Sequence, residues 1–271
     1  SAAWVAEANG VATVSELRTR DITRGGPAAP IASTLDALLL LSGAVDRGSL
    51  NLGGIANITV READGRVIAY DIGPASALMD SAVSDATAGA QRMDRDGTRA
   101  ARGTVNPVLL DRLLAEPYYR LPPPKSTGKE LFHADYVRGM VADLTIGTDD
   151  LVATLTELTA RLVADTCRAH GVDELVVAGG GVRNPTLMRR IAACVAPVSV
   201  RPIDDFGMPA QAKEAYLLAL LGYLSVHGLP GTLASATGAR SGSVLGSLTP
   251  GVQPLRLPEP EKDLPRRMRI E

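Results

Sequence analysis

The run Leu175-Val176-Val177-Ala178 leads straight into Gly179-Gly180-Gly181, and after Val182-Arg183 comes Asn184-Pro185. Few folds accept that order. The apolar β-run predicts a buried strand, and three residues without a Cβ predict a turn open to close approach. Asn184 suits a helix cap and Pro185 its first turn. Thr186, Leu187, Met188 and Ile191 continue the helix. Strand, glycine turn and helix together can cradle a nucleotide. A tight turn uses the same residues, so the run gains meaning only beside a second glycine element. Leu50–Val60, read as one strand with Gly53-Gly54 at its centre, supplies it. A glycine pair weakens a strand, and the usual compensation is close approach of a ligand or of another backbone. Freed N–H groups there could bind phosphate oxygens. A β-bulge or a tight inter-strand contact accounts for the pair equally well.

Strands alternate with helices beyond residue 45, which predicts an α/β fold. Ala63-Asp64-Gly65 is a turn signal that returns the chain along Val67–Asp71 as a hairpin, so the sheet should be mixed. Ile72-Gly73-Pro74 should break that strand, and Ser76–Val83 should begin a helix. Other helices are expected at 3–8, 34–41, 107–114, 149–170, 188–195 and 213–226, and short strands at 11–17 and 198–203. In the longest helix Leu151, Leu155, Leu158, Leu162 and Val163 share a face, with Asp149 or Asp150 as cap. Residues 253–271 carry prolines and charges without periodicity and read as a tail, its Arg266-Arg267-Met268-Arg269 being merely solubilising.

The 271 residues carry a net charge of −2, and aromatic residues make up 3%. Bulk-charge binding of nucleic acid and stacking on single strands are therefore not expected. Cys167 and Cys194 lie outside any metal-ligand spacing, which predicts no metal site or disulfide framework and a reducing, cytoplasmic compartment. No apolar run reaches the ~20 residues a bilayer span needs. The apolar helix at 213–226 could pack against a second copy as a homodimer.

Asp71 ends its strand beside a glycine-proline turn, at the rim where α/β sites are built. It could serve as a general base, or simply cap a turn. Glu214 could reach the same cleft, or favour the dipole at its helix N-terminus. His133, His170 and His227 read as surface or helix-end residues. Asp94 and Asp96 read as a solvated loop, and Lys125 could be a solvated loop charge.

Several motifs in series point further. Leu50–Thr59 resembles the Asn-x-Gly-Gly-Ile-Ala-Asn strand of anhydro-N-acetylmuramic acid kinases. Asp71-Ile72-Gly73-Pro74 with Leu78-Met79-Asp80 is similar to their Asp-Thr-Gly-Pro-Gly-Asn-x-Leu-x-Asp segment. Pro124–Glu130 resembles their Pro-Lys-Ser-Thr-Gly-Arg-Glu loop, and Ala153–Ala160 the start of their long helix. Gly179–Asn184 with Leu187-Met188 resembles their adenosine loop. Arg20-Asp21 with Gly25-Gly26 and Ala29-Pro30, and Thr237-Gly238-Ala239 with Leu245-Gly246, extend the likeness over about residues 1–250.

The resemblance implies an actin-like ATPase (ribonuclease H-like) fold, an α/β architecture with a mixed sheet flanked by helices. Residues 1–45 would be the remnant of an incomplete first domain, 46–250 a second domain, and 251–271 a tail. It implies an ATP-dependent sugar kinase that phosphorylates O6 of 1,6-anhydro-N-acetylmuramic acid while water opens the ring, with Mg²⁺ beside the phosphates. Asp71 would be the base. Gly53, Gly54, Asn57, Gly179, Gly180, Gly181 and Asn184 would contact the nucleotide, and Gly73, Pro74, Ser76 and Glu214 the sugar.

The sequence departs from the family in three ways. Ala75-Ser76 replaces Gly-Asn, and Gly26-Pro27-Ala28-Ala29-Pro30 stands where the family has Gly-Gln-Gly-Ala-Pro. The family's Gly-Thr-Ser-x-Asp-Gly phosphate loop and its His-Gly-Gln-Thr stretch are missing, so more than a hundred family residues are expected ahead of Ser1. These departures keep two alternatives open: a non-catalytic sugar- or nucleotide-binding relative, and a different sugar kinase of the same fold.

Overall fold

The computed structural model describes residues 1–265 and 267–270. In chain order its regular elements begin with α1 (Ala2–Asn9), β1 (Thr13–Ser15), α2 (Thr19–Thr23), α3 (Ser33–Leu39), β2 (Arg47–Leu52), β3 (Ile55–Arg61) and β4 (Val67–Pro74). Next come α4 (Ser76–Ala86), α5 (Thr98–Arg102), α6 (Pro107–Leu114), α7 (Ala134–Met140), α8 (Thr148–Ala169), β5 (Glu174–Ala178) and α9 (Pro185–Val195). β6 (Ser199–Pro202), α10 (Lys213–Val226), α11 (Ala234–Thr237) and β7 (Ser247–Thr249) complete the set.

A five-stranded mixed sheet has the order β4-β3-β2-β5-β6. β2, β3 and β4 form an antiparallel meander, while β2–β5 and β5–β6 are parallel. Side chains alternate between two cores, as a sheet covered on both faces requires. Leu175 and Val177 join Leu50, Leu52, Ile58 and Tyr70 in the core that α4, α6, α8 and α9 cover. Val176 and Ala178 face the other way, with Leu35 of α3, Leu40 just after that helix, and Leu217, Leu221 and Leu224 of α10. Burying Leu155, Leu158 and Leu162 of α8 contributes about 1.5–3 kcal/mol each, which fixes that helix against the sheet.

Three local readings need correction. Leu50–Val60 is two strands: Gly53-Gly54 is the hairpin turn between β2 and β3. β4 continues through Ile72-Gly73-Pro74, because a bulge absorbs Ile72 between the pairs Ala56–Gly73 and Asn57–Asp71. Gly147, not Asp149 or Asp150, is the N-cap of α8; Asp149 pairs with Arg99 and Arg102, and Asp150 accepts from the Thr104 N–H.

The segments at either end are tied to this body. β1 pairs with β7, Val14 opposite Leu248. The described part of the tail has no regular element, yet the Met268 N–H donates to the Leu38 carbonyl, and Met268 and Ile270 pack on the α3–α10 core. Arg266, in the basic tail motif, lies outside the described residues.

Two buried carboxylates organise the α3 side. Asp21 is fully buried and accepts from the Ala28 N–H at 2.9 Å and the Thr237 hydroxyl at 2.9 Å. A Cβ on Gly26 would stand 2.1 Å from its carboxylate, so glycine is obligatory there. Ala28 takes φ +56°, a left-handed backbone that costs an L-residue about 1–2 kcal/mol. Asp36 of α3 binds Lys213 of α10 at 2.7 Å, Thr59 of β3 donates to the same carboxylate, and Lys213 reaches Ser49 of β2. Truncating one partner of such a buried pair strands the other charge. Lys213→Met should therefore lose about 3–5 kcal/mol in urea unfolding, and Asp36→Leu/Lys213→Met should recover at least half of that. Ala28→Gly should raise stability by roughly 0.5–1 kcal/mol in the same measurement, because it relieves the left-handed strain.

Candidate active site

The carboxyl ends of β2, β4 and β5 lie on one edge of the sheet, and both glycine elements meet there. Gly179 has φ +91°, and a Cβ on it would stand 2.7 Å from the Leu52 carbonyl oxygen. A Cβ on Gly181 would stand 2.6 Å from the Leu52 Cβ. These two glycines therefore let the β5 turn press against the end of β2. A Cβ on Gly180 would meet only the Arg183 guanidinium, at 3.9 Å. Asn184 caps α9, its Oδ1 accepting from the N–H groups of Thr186 and Leu187.

A cavity of about 500 Å³ opens between the two turns, lined by Gly53, Gly54, Gly180, Gly181 and Asn184, with Leu187 on its apolar side. A second cavity of about 530 Å³ adjoins it through Gly54, Ser76 and Asp80, and reaches Lys129 and His133. The carbonyls of Gly53 and Gly54 take the first N–H groups of α4, from Ser76 at 3.1 Å and Ala77 at 3.0 Å. The turn and the helix start are thus locked together. Burial raises the Asp80 pKa, against a hydrogen bond from Ser76 and the charge of Lys129, which lower it.

Register places Asn51, Asn57 and Asp71 directly opposite one another on β2, β3 and β4. The three share the sheet face that bears Ser49 and Thr59, opposite the face of Leu50, Ile58 and Tyr70. Asp71 is half-buried. Its Oδ2 accepts from the Thr127 N–H at 3.0 Å and the Ser126 hydroxyl at 3.2 Å. Burial raises its pKa; the two donors oppose the rise and the Glu130 carboxylate adds to it.

Apart from Gly179, which packs on Leu52, the expected site residues thus fall into four groups. Gly53, Gly54, Gly180, Gly181, Asn184 and Ser76 border the paired cavities. Asn57 does not line them and stands with Asp71. Gly73 and Pro74 are buried; Gly73 packs against Tyr119 and Leu162, and Pro74 accepts from the Thr159 hydroxyl. Glu214 is exposed, in the first turn of α10 next to Lys213.

Sequence reasoning missed the row with Asn51, whose signal was its spacing of six from Asn57 across a two-residue turn. Two loop readings also change. Asp94 is buried and accepts from the N–H groups of Arg99 and Ala100 at the start of α5. Lys125 is not a solvated charge: it donates to the carbonyls of Tyr118 and Tyr119. The three histidines do sit at helix ends, His133 before α7, His170 after α8 and His227 after α10. Among the described residues no cluster of three or more His, Cys, Asp or Glu could hold a metal ion, and no helix is long and apolar enough to cross a membrane.

Fold and site define an α/β protein with a glycine-walled cleft at the carboxyl edge of a mixed sheet. The family model described as anhydro-N-acetylmuramic acid kinase matches residues 1–251. A protein of that description from Streptomyces coelicolor is 52% identical over 269 residues, covering 99% of this chain and 69% of the relative. Its counterpart from Rhodococcus erythropolis is 48% identical over 277 residues, covering 99% and 70%. The chain belongs to the anhydro-N-acetylmuramic acid kinase family. Among solved structures, the activator of the 2-hydroxyisocaproyl-CoA dehydratase from Clostridium difficile, with bound ADPNP, aligns at 15% identity with a TM-score of 0.40, over 77% of this chain and 63% of that one.

Asp71 sets up a stability test whose sign is fixed. Its folded pKa lies above the unfolded one, so the native state holds that proton more tightly. The resulting penalty is full at neutral pH and vanishes below the unfolded pKa. Asp71→Asn should then stabilise the protein by about 0.5–1 kcal/mol at pH 7, with the gain gone by about pH 3 in denaturant melts.

Proposed function

We propose that this protein is an ATP-dependent kinase for 1,6-anhydro-N-acetylmuramic acid, opening the anhydro ring with water as it forms N-acetylmuramic acid 6-phosphate in peptidoglycan recycling. Family membership carries the substrate. The observation that carries the mechanism is the juxtaposition of the glycine cavity and the Asp71 row on one sheet edge.

In this reading the adenosine end of ATP lies against Gly179–Gly181 and Asn184, the position of the family's adenosine loop. The phosphates run along the Gly53-Gly54 turn toward the edge. The sugar sits on the face of Asn51, Asn57 and Asp71, so Asn57 serves the acceptor rather than the nucleotide. Ser76 borders both, and Glu214 supports the sugar side from the start of α10. Gly73 and Pro74 shape that side from within.

Asp71 takes a proton from water, and the oxygen forms a bond to the anomeric carbon C1. The C1–O6 bond breaks, and O6 attacks the γ-phosphorus as ADP leaves. A carboxylate whose pKa burial has raised is a stronger base than an ordinary aspartate, and its two donors from the 124–130 loop keep it aimed. Mg²⁺ bound to the triphosphate would offset its charge. Such a metal needs only one or two carboxylates from protein, and Asp80, which borders both cavities with Gly54 and Ser76, could supply one. Residues 1–45 would belong to a first domain and 46–250 to a second, closing on each other over the nucleotide in the cytoplasm. A homodimer would use the side of α10 where Leu218 and Tyr223 are exposed.

The test is ADP release with the anhydro sugar, using the full gene product. Asp71→Asn should lower kcat by about 10²–10⁴-fold with little change in the KM for ATP. Unchanged turnover in that variant would remove Asp71 from the mechanism. Phosphorylation of a plain hexosamine in place of the anhydro sugar would favour the other-kinase alternative.

A further inference from the structure

The loop that holds Asp71 has an anchor of its own. Lys125 starts the Lys125-Ser126-Thr127 segment lying along the free edge of β4, where its carbonyl accepts from the Asp71 N–H at 3.3 Å. The Lys125 ammonium turns inward. It donates to the carbonyls of Tyr118 at 3.2 Å and Tyr119 at 3.0 Å. It also lies 4.7 Å from the centre of the Tyr118 ring and 5.5 Å from that of Tyr70, within cation–π range. The circuit closes at Asp71, because the Tyr118 hydroxyl donates to the Asp71 carbonyl at 2.7 Å. One ammonium thus pins the Pro117–Arg120 turn and the 124–130 loop to each other, with the base between them.

We infer that Lys125 is a positioning residue for Asp71: by fixing the loop to the tyrosine turn it holds the Ser126 hydroxyl and the Thr127 N–H on the carboxylate. The role rests on the reading of Asp71 as base. Its geometry does not depend on that reading. An ammonium satisfied by two neutral carbonyls and two ring faces, with no carboxylate bonded to it, is costly to bury. A surface loop has no structural need for that cost, since an apolar side chain would fill the same space between the rings. The other charged and titratable groups around Asp71 and Lys125 are Glu130 on the same loop, Tyr118 and Tyr119 on the turn, Tyr70 on β4 and Asp165 on α8, the last sharing a small cavity with Lys125 and Tyr119. None of them replaces the Lys125 bonds.

Two readings that need no turnover decide the matter: the carboxyl-carbon NMR titration of Asp71, assigned with Asp71→Asn, and hydrogen exchange at the Thr127 amide. In Lys125→Met the loop should loosen. The Thr127 amide should exchange at least about tenfold faster, and the Asp71 titration should rise by roughly half a pH unit, because the two donors that hold it down are released. Lys125→Arg, which keeps the charge and the donors, should restore most of the Thr127 protection. If Lys125→Met does not fold, Lys125→Gln, which can reach one carbonyl, is read in the same two ways. A folded neutral variant with wild-type exchange at Thr127 and an unmoved Asp71 titration overturns the proposal. Turnover by Asp71→Asn would instead overturn the base assignment and leave these two readings as they stand.

Discussion

The contact between the Gly179–Gly181 turn and the end of β2 fixes the relation of everything that could bind. With any side chain at 179 or 181 the turn would have to lift away from Leu52 by more than the core tolerates. Lifting it would separate α9 from the Gly53-Gly54 turn and open the cleft wall. Two of the three glycines that look like a ligand loop are therefore spent on backbone packing, while Gly180 and Gly181 border the cavity. The ligand-binding role of such a loop is a by-product of that packing: backbone brought this close to a neighbouring strand also presents its N–H groups at the sheet edge.

The same economy holds at Gly53-Gly54. The Gly53 N–H donates to the Ile55 carbonyl at 3.3 Å, and the carbonyls of both glycines accept the first donors of α4. This satisfies the helix N-terminus without a capping side chain, which is why Ala75 can stand at that position. Ala75 has φ −115° and ψ −101°, so this departure from the family's glycine places no residue in the left-handed region. The other departure is different in kind. Ala28 occupies a left-handed position where the family has glycine, and the buried Asp21 holds it there through its N–H.

How much of this was legible depended on whether the signal was local. Helix α6 at Pro107–Leu114 and helix α10 at Lys213–Val226 lie at the residues that apolar spacing and proline or acidic starts predict. The Asn184 cap was readable because capping is a contact between residues two and three apart. The Gly53-Gly54 turn was not, because a β-run on either side of a glycine pair has one hydropathy pattern whether it bends or continues. The roles of Asp94, Lys125 and Asp36 were invisible for another reason. Their partners lie on other elements or are backbone groups, and only the fold brings them together. A charged residue in a polar loop reads as solvated until the loop is seen to be covered.

The bulge at Ile72 gives this sheet edge its division of labour. Without it Asp71 and Gly73 would both sit in simple register with β3, and α4 would leave β4 one residue earlier. The extra residue lets Asp71 stay opposite Asn57 while Gly73 returns opposite Ala56 and Pro74 opposite Ile55. The strand can then deliver its carboxylate to the polar face and still hand the chain to α4 at the glycine turn, where the helix start meets the cavity. Because side chains alternate along a strand, a slip of one residue would carry that carboxylate into the core of Tyr70 and Ile72. There its charge would meet neither Ser126 nor Thr127, and it would ionise only at prohibitive cost. The bulge, more than any single side chain, allows one short strand to serve both the polar face of Asn51 and Asn57 and the edge where the glycine turn meets α4.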